Sequence, residues 1–326
     1  MFSKIAHQAF RVFIAFTFFI ALASACAREQ PEGNTTSQAA PFSPQADSPT
    51  LTRVVQHTMG ETVIPANPKR IVVLDFIVLN SLLALNIQPV GAAGTQSEIS
   101  PFTAFHEGKL DGVTYVGYVY QPNLEKIIQL QPDLIIGSQF HKEIYGNLSQ
   151  IAPTILSDVD SSDDWKIALK WLAEAIDKAP EAEQLLDGYY QRIAQFQKRM
   201  GEDLRTTQVS LINFRSKQVR VYLKDSFPGS VIEDVGLTRP PAEDKEGFIE
   251  EVSIEQIPQF KGDVIFSIVD QPSVASLERF SNSPLWSQLK AVQEGRVYSV
   301  KSDIWIFGSG VTGANLILDD LSKYLQ

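Results

Sequence analysis

The chain has 326 residues, 44% of them hydrophobic and 20% charged, a balance that excludes both a disordered chain and a multi-span membrane protein and leaves room for about two domains. Its formal net charge of −10 excludes the basic footprint of a nucleic-acid binder. A single cysteine excludes an intrachain disulfide framework, so stability must come from packing.

Residues 1–25 depart from the bulk composition. Lys4 and Arg11 precede an uncharged, mostly apolar run from Val12 to Ala25 that ends in Ala23-Ser24-Ala25. The run is shorter than the ~20 residues of a spanning helix and its small residues suit cleavage, which is the pattern of a signal peptide. Cys26 follows at once, and Leu22-Ala23-Ser24-Ala25-Cys26 resembles a bacterial lipoprotein box, with Ala23 where leucine is usual. The resemblance implies a lipid on Cys26 and a membrane anchor; the alternative is ordinary secretion with cleavage before Cys26. Residues 26–50, rich in Ala, Ser, Thr, Gln and Pro, have the composition of a flexible tether. Loss of Lys4 and Arg11 with the leader takes the net charge from −10 to −12.

From Arg70 short β-branched runs alternate with helical stretches, the rhythm of an α/β domain. Strands are predicted over Arg70–Leu74, Pro89–Ala92, Tyr115–Gly117, Asp133–Gly137 and Thr154–Leu156, with helices over Phe76–Leu85, Leu124–Leu130 and near Ile144–Ile151. Residues 163–201 lack strand character. Pro180 opens and Gly201 closes a helix-prone run, the expected placement of those residues at helix ends. At ~1.5 Å per residue this helix is about one domain diameter long, which reads as a strut between two lobes; the alternative is a helix packed on one of them. Strands resume at Val209–Phe214, Val219–Leu223, Val264–Val269 and Val297–Val300. The division that follows is an N-terminal α/β lobe at 51–178, a linker helix at 179–202 and a C-terminal α/β lobe at 203–326.

An internal repeat supports two similar lobes. Leu124-Glu125-Lys126-Ile127, Leu130 and Asp133-Leu134-Ile135-Ile136 align without gaps, at an offset of 130, with Ile254-Glu255-Gln256-Ile257, Phe260 and Asp263-Val264-Ile265-Phe266. Each copy reads as a short amphipathic helix led by glutamate, then Asp and a buried strand. Glu125 and Glu255 therefore occupy equivalent places, where an acidic residue in a first helical turn is also favoured by the macrodipole.

Ligands of open α/β sheets bind outside the carboxyl ends of the strands. That rule selects Asp75 and Phe76, Tyr118 and Tyr120, the stretch from Ser138 to His141, Arg215, Asp270 and Trp305. Tyr and Phe beside strands are often core residues, whereas Arg215 is poorly explained as core because an unpaired buried guanidinium is costly. Gly308-Ser309-Gly310-Val311-Thr312-Gly313 matches the dinucleotide fingerprint, but the chain ends too soon after Gly313 to complete a βαβ unit, so these glycines are expected to open a last helix over Ala314–Leu325. His57, His106 and His141 are isolated, and neither an H-E-x-x-H nor a G-x-S-x-G motif occurs, which leaves an enzyme without a constellation of catalytic groups and a resident metal or cofactor without ligands.

Asn67-Pro68-Lys69-Arg70-Ile71-Val72, Pro122-Asn123-Leu124-Glu125-Lys126-Ile127, Gln131-Pro132-Asp133-Leu134-Ile135-Ile136, and Pro284-Leu285-Trp286 with Gly295-Arg296-Val297-Tyr298 together resemble the periplasmic binding proteins for ferric siderophores and cobalamin. The resemblance covers nearly all of residues 51–326. It implies two Rossmann-like lobes bridged by one long α-helix with a ligand cleft between them, and small closure on ligand. It further implies a monomeric carrier that takes a ferric siderophore to an ABC permease dimer with its ATPase subunits, Glu125 and Glu255 docking on arginines of that dimer, and iron held only within the siderophore. On this reading Tyr118, Tyr120, His141, Arg215 and Trp305 face the chelate, because aromatic rings and a guanidinium fork suit a bulky, oxygen-rich ligand. Some hydroxamate binders of the family place an Arg just before Pro-Asn-Leu-Glu; Tyr118-Val119-Tyr120-Gln121 stands there instead, so hydroxamate, catecholate and citrate chelates all stay open. Cobalamin or haem on the same scaffold, and a bilobal metal-chelate enzyme, are the alternatives. If Cys26 bears the lipid, Cys26→Ala moves the protein from the membrane fraction to the soluble one; a wild-type protein that is itself soluble would refute the anchor.

Overall fold

The computed structural model describes residues 51–97, 102–159, 162–215, 219–269 and 274–326; the predicted leader, Cys26, the tether and Asp270 lie outside them. A hairpin of β1 (Thr52–His57) and β2 (Gly60–Pro65) precedes β3 (Ile71–Val73), α1 (Phe76–Ala84), β4 (Gly91–Gly94), β5 (Thr114–Tyr118), β6 (Gln121–Pro122), α2 (Leu124–Gln129), β7 (Leu134–Ser138), α3 (Tyr145–Ser149) and β8 (Thr154–Ser157). Then come α4 (Trp165–Ala175), α5 (Ala179–Met200), α6 (Asp203–Thr206), β9 (Val209–Phe214), β10 (Val219–Tyr222), α7 (Phe227–Val235), β11 (Ile249–Val252) and β12 (Val264–Val269). The chain finishes with α8 (Val274–Ser281), α9 (Pro284–Ser287), α10 (Lys290–Gln293), β13 (Val297–Val300), α11 (Ser302–Trp305) and α12 (Val311–Leu325).

The mixed α/β architecture holds two larger sheets. One has the order β6-β5-β4-β3-β7-β8 and is parallel except for β6; the other has the order β11-β10-β9-β12-β13, with β10 antiparallel to both neighbours. Each sheet uses strands contiguous in sequence, so the backbone passes from one to the other once, between β8 and β9.

That passage contains α5, whose buried residues Ala182, Leu186, Tyr189, Ile193, Phe196 and Met200 recur every three or four positions, one face of a 3.6-residue period. The stripe belongs to a core shared with Trp165, Leu169 and Leu172 of α4, Val231, Ile232 and Val235 of α7, and Ile317 and Leu321 of α12. At the centre, the Trp165 and Tyr189 rings meet edge to face at 5.3 Å. Polar groups close the seam: the Tyr189 hydroxyl donates to Asp234 at 2.9 Å, and Lys166 reaches the same carboxylate at 2.7 Å. Burial, with the Asp234 carboxylate adding to it, holds the Tyr189 phenol far above its ordinary pKa. The helix therefore packs on elements from both halves of the chain.

Two elements had no clear sequence signal. The β1–β2 hairpin leaves Val54 and Val63 exposed on its outer face, so its apolar alternation marks no single buried side. α7 is rich in β-branched residues and contains Pro228 and Gly229, a poor helical composition. It forms because Ser226 accepts from Gly229 N–H at its start, Gly236 takes a left-handed φ of 80° at its end, and its apolar face is buried.

The repeat has a physical meaning. In the first copy Asp133 accepts from the backbone N–H groups of Lys69 and Arg70 at 2.7 and 2.9 Å, pinning the chain as it enters β3; in the second Asp263 accepts from Gln208 N–H at 2.9 Å as the chain enters β9. In both, the strand after the aspartate pairs in parallel with the strand it pins. Burial of the Asp263 carboxyl works to raise its pKa, but the bonds from Lys290 and Gln208 outweigh that and hold it below the usual range. Its share of stability is thus present above the ordinary carboxylate value and disappears as pH falls through the lowered one. We expect Asp133→Ala to lose about 1.5–3 kcal/mol of folding free energy, read as a lower thermal midpoint.

Candidate functional site

The parallel strands β5, β4, β3 and β7 are consecutive in the N-terminal sheet and share one carboxyl end, where the predicted segments after β3, β5 and β7 emerge. Tyr118, the last residue of β5, is half-buried and Tyr120 beyond it is 57% exposed; after β7, Phe140 is 56% exposed. The Tyr118 and Tyr120 rings meet edge to face at 5.2 Å, and Tyr120 meets Phe140 in the same way at 5.2 Å. Three aromatic rings in a row at this end of the sheet form the kind of apolar surface that marks a binding site. Burial, then Tyr118 and the Asp75 carboxylate, raises the Tyr120 phenol above its ordinary pKa, which also places Asp75 within electrostatic reach of this ring. Asp75 itself caps α1, accepting from Ile77 and Val78 N–H at 2.8 and 3.2 Å.

Two predicted ligand residues have other tasks. His141 is buried: its Nε2–H donates to the Val119 carbonyl at 2.8 Å and its Nδ1 accepts from Ser138 N–H at 3.2 Å. A Cβ on Gly137 would lie 3.0 Å from that ring nitrogen, so glycine lets the imidazole lie against the strand. His141 thereby ties the loop bearing Tyr118 and Tyr120 to the loop bearing Phe140, and positions the aromatic row without facing outward. Trp305 is fully buried, stacked on Phe266 at 4.9 Å, with its indole N–H donated to Asp320 at 2.8 Å. It is core, because α11 turns it inward onto β12 and α12. The strand-end rule locates a residue along the chain but not the direction of its side chain. Arg215 is exposed at the carboxyl end of β9.

Glu125 and Glu255 are both exposed, each in the first turn of its element. The first turn belongs to an α-helix and the second to a 3-10 helix (Ile254–Gln259) that contains Pro258. Hydrogen bonding with Ser253 lowers the Glu255 carboxyl below its ordinary pKa.

The glycines of Gly308–Gly313 do open the last helix. Gly310 takes a φ of 147°, and a Cβ on Gly313 would fall 2.0 Å from the Gly308 carbonyl oxygen. The Asn80 amide on α1 donates to the carbonyls of Phe307 and Ser309, both at 3.0 Å, while its oxygen accepts from His106 Nε2 at 2.8 Å. Phe76 packs on both His106 and Phe307, so it too is largely spent on structure. Burial, with the Lys109 charge adding to it, depresses the His106 pKa to about 4.

A family model described as periplasmic binding protein matches residues 71–304, the span from β3 into α11 that includes both large sheets. The chain belongs to this family. As a periplasmic binding protein it is 35% identical over 85% of its length, and 89% of the relative's, to "Probable siderophore-binding lipoprotein YfiY" of Bacillus subtilis. It is 32% identical to the achromobactin-binding periplasmic protein of Dickeya dadantii, over 78% of this chain and 86% of the relative. Its fold matches the crystal structure of Staphylococcus aureus SirA complexed with staphyloferrin B at a TM-score of 0.76 and 30% identity, covering 84% of this chain and 98% of that one.

The depressed His106 pKa makes a measurable claim. An imidazole kept neutral in the folded state contributes stability that is complete above the unfolded value of 6.5 and falls away as pH drops toward about 4. NMR titration should show the His106 ring unprotonated at pH 5, and His106→Gln should flatten the loss of stability between pH 6.5 and 4; a ring that titrates near 6.5 would refute the buried assignment.

Proposed function

We propose that this periplasmic binding protein captures a ferric siderophore outside the cytoplasmic membrane and delivers it to an ABC permease dimer, without catalysing a reaction. The row of Tyr118, Tyr120 and Phe140 at the carboxyl end of the N-terminal sheet carries the reading, and the siderophore in the name of YfiY, the achromobactin of the Dickeya relative and the staphyloferrin B of the SirA structure support it. On this proposal the chain forms lobes at 51–178 and 203–326 joined by the helix at 179–202, with the chelate between them and Arg215 reaching it from the second lobe. Iron enters only within the siderophore, and Cys26 anchors the monomeric carrier to the outer face of the membrane.

Aromatic faces cover the apolar parts of a chelate at little entropic cost, and an exposed guanidinium donates to its carboxylate or catecholate oxygens in fixed geometry. Titration of the purified protein with ferric siderophores of hydroxamate, catecholate and citrate type should show tight binding of at least one. Tyr120→Ala and Arg215→Ala should each weaken that binding on the order of tenfold, the scale of one lost charge-assisted hydrogen bond or one large side-chain contact. Tight binding of cobalamin or haem with no response to any siderophore would overturn the proposal.

Delivery is assigned to Glu125 and Glu255, which the repeat places at equivalent, exposed positions of the two halves. The Glu125→Ala/Glu255→Ala protein should bind siderophore as the wild type does and fail to support uptake in proteoliposomes carrying the cognate permease. Normal uptake would refute the docking assignment, and lost siderophore binding would move these residues to the ligand site.

A further inference from the structure

The outer face of α2 offers more than a charge. Ile128 follows Glu125 at the i, i+3 spacing that puts two side chains on one helix face, and it is 56% exposed, whereas its neighbour Ile127 is fully buried. Ile127 supplies the core contact, so the core gives no reason for a second isoleucine facing outward. Beside Ile128 runs an open groove of about 610 Å³ between α2 and α3, lined by the apolar Leu124, Ile128, Pro132 and Ile151 and by the polar Gln131, Asn147 and Gln150. Apolar walls with a polar edge, next to an exposed carboxylate, suit a protein surface that carries an apolar side chain beside a cation.

The second copy of the repeat keeps the inner framework and changes the outer face. Ile257 is buried like Ile127, and Asp263 pins a strand as Asp133 does. At the outward positions, Pro258 replaces Ile128 and Lys261 replaces Gln131, both exposed, while buried Gly262 stands in place of Pro132. The two faces therefore share the glutamate and the exposed Gln129/Gln259 pair and differ at Ile128/Pro258, Gln131/Lys261 and Pro132/Gly262.

We propose that the α2 groove receives an apolar side chain from the extracytoplasmic surface of the permease subunit whose cation pairs with Glu125, and that the face around Glu255 makes no such contact. This rests on the docking reading above. Burial of Ile128 and the group it meets adds affinity on the N-terminal side only, so the carrier seats with its two halves held by unequal forces.

The test uses the full-length carrier loaded with siderophore and the cognate permease in proteoliposomes, and reads the carrier concentration giving half-maximal ATPase stimulation. Ile128→Asp should raise that concentration at least about tenfold (about 1.4 kcal/mol), Ile128→Gln should raise it in the same direction, and Pro258→Asp should leave it unchanged. Siderophore affinity should be untouched in all three. If Ile128→Asp behaves as wild type while Glu125→Ala weakens coupling, the groove assignment is wrong and docking stands. If Glu125→Ala is also silent, the docking reading itself fails. A siderophore affinity lowered by Ile128→Asp would assign the groove to the ligand, and wild-type self-association abolished by Ile128→Asp would assign it to a second copy of the chain; either overturns the proposal.

Discussion

The arrangement of this protein depends on the apolar stripe of α5. Six buried residues of that one helix pack at once against α4, which follows the first large sheet, and against α7 and α12, which belong with the second. Separating those elements would expose Tyr189, Phe196 and Ile193 together, and each large side chain returned to water costs roughly 1.5–3 kcal/mol. The Lys166–Asp234–Tyr189 network would be broken in the same step, leaving charged groups with their partners lost. The Asn80 amide, bonded to two carbonyls of the glycine loop, adds a second tie between α1 and the start of α12. The two large sheets thus share a core that resists hinging; on the proposed reading, the carrier meets its ligand with the aromatic row already formed, which limits the ordering cost of binding.

The repeat shows which features the fold needs twice and which it needs once. Both copies cap the turn from the same position, Asn123 accepting from Lys126 N–H in the first and Ser253 forming a capping box with Gln256 in the second. Both then use an aspartate to fix the start of the neighbouring parallel strand. Parallel pairing joins strands distant in sequence, so register must be set by something other than a tight turn, and a carboxylate accepting backbone N–H groups at the strand entrance does so directly. The helix type is free to vary: Pro258 lacks an N–H, and the second copy winds as a 3-10 helix with its glutamate still exposed.

Much of this was legible in the sequence because it depends on periodicity. Val209–Phe214, Val264–Val269 and Val297–Val300 are strands over the predicted residues, and the long helix ends at Met200 as Gly201 indicates. What was not legible depends on contacts distant in sequence. Trp305 and Tyr120 both follow predicted strands, yet one is enclosed by Phe266 and Asp320 and the other lies open beside Phe140; no local pattern distinguishes them. His141 looked like a ligand for its place after β7, whereas its hydrogen bond to Val119, 22 positions earlier, makes it a brace. Phe140 lay inside the stretch selected by the strand-end rule, and only the exposure of its ring and its contact with Tyr120 single it out.

The brace bears on how a loaded carrier differs from an empty one. Tyr118, Tyr120 and Glu125 sit within eight residues of one another, on a segment that begins in the last residues of β5, where Gly117 takes a φ of 108° and pairs with Pro122. A Cβ on Gly117 would lie 2.9 Å from both Asn123 N and Gln121 O, so the turn is closed tightly on itself, and Asn123 N–H donates back to Val116 O at 2.7 Å. His141 then fixes Val119 from the β7 side. These three ties couple the aromatic row of Tyr118 and Tyr120 to the start of the helix that carries Glu125. A ligand shifts an equilibrium only through differential contact with two states, and these three ties oppose a second arrangement of this segment. On the docking reading, occupancy therefore reaches the permease through the placement of Glu125 relative to Glu255, and the shared α5 core confines that change to a small displacement.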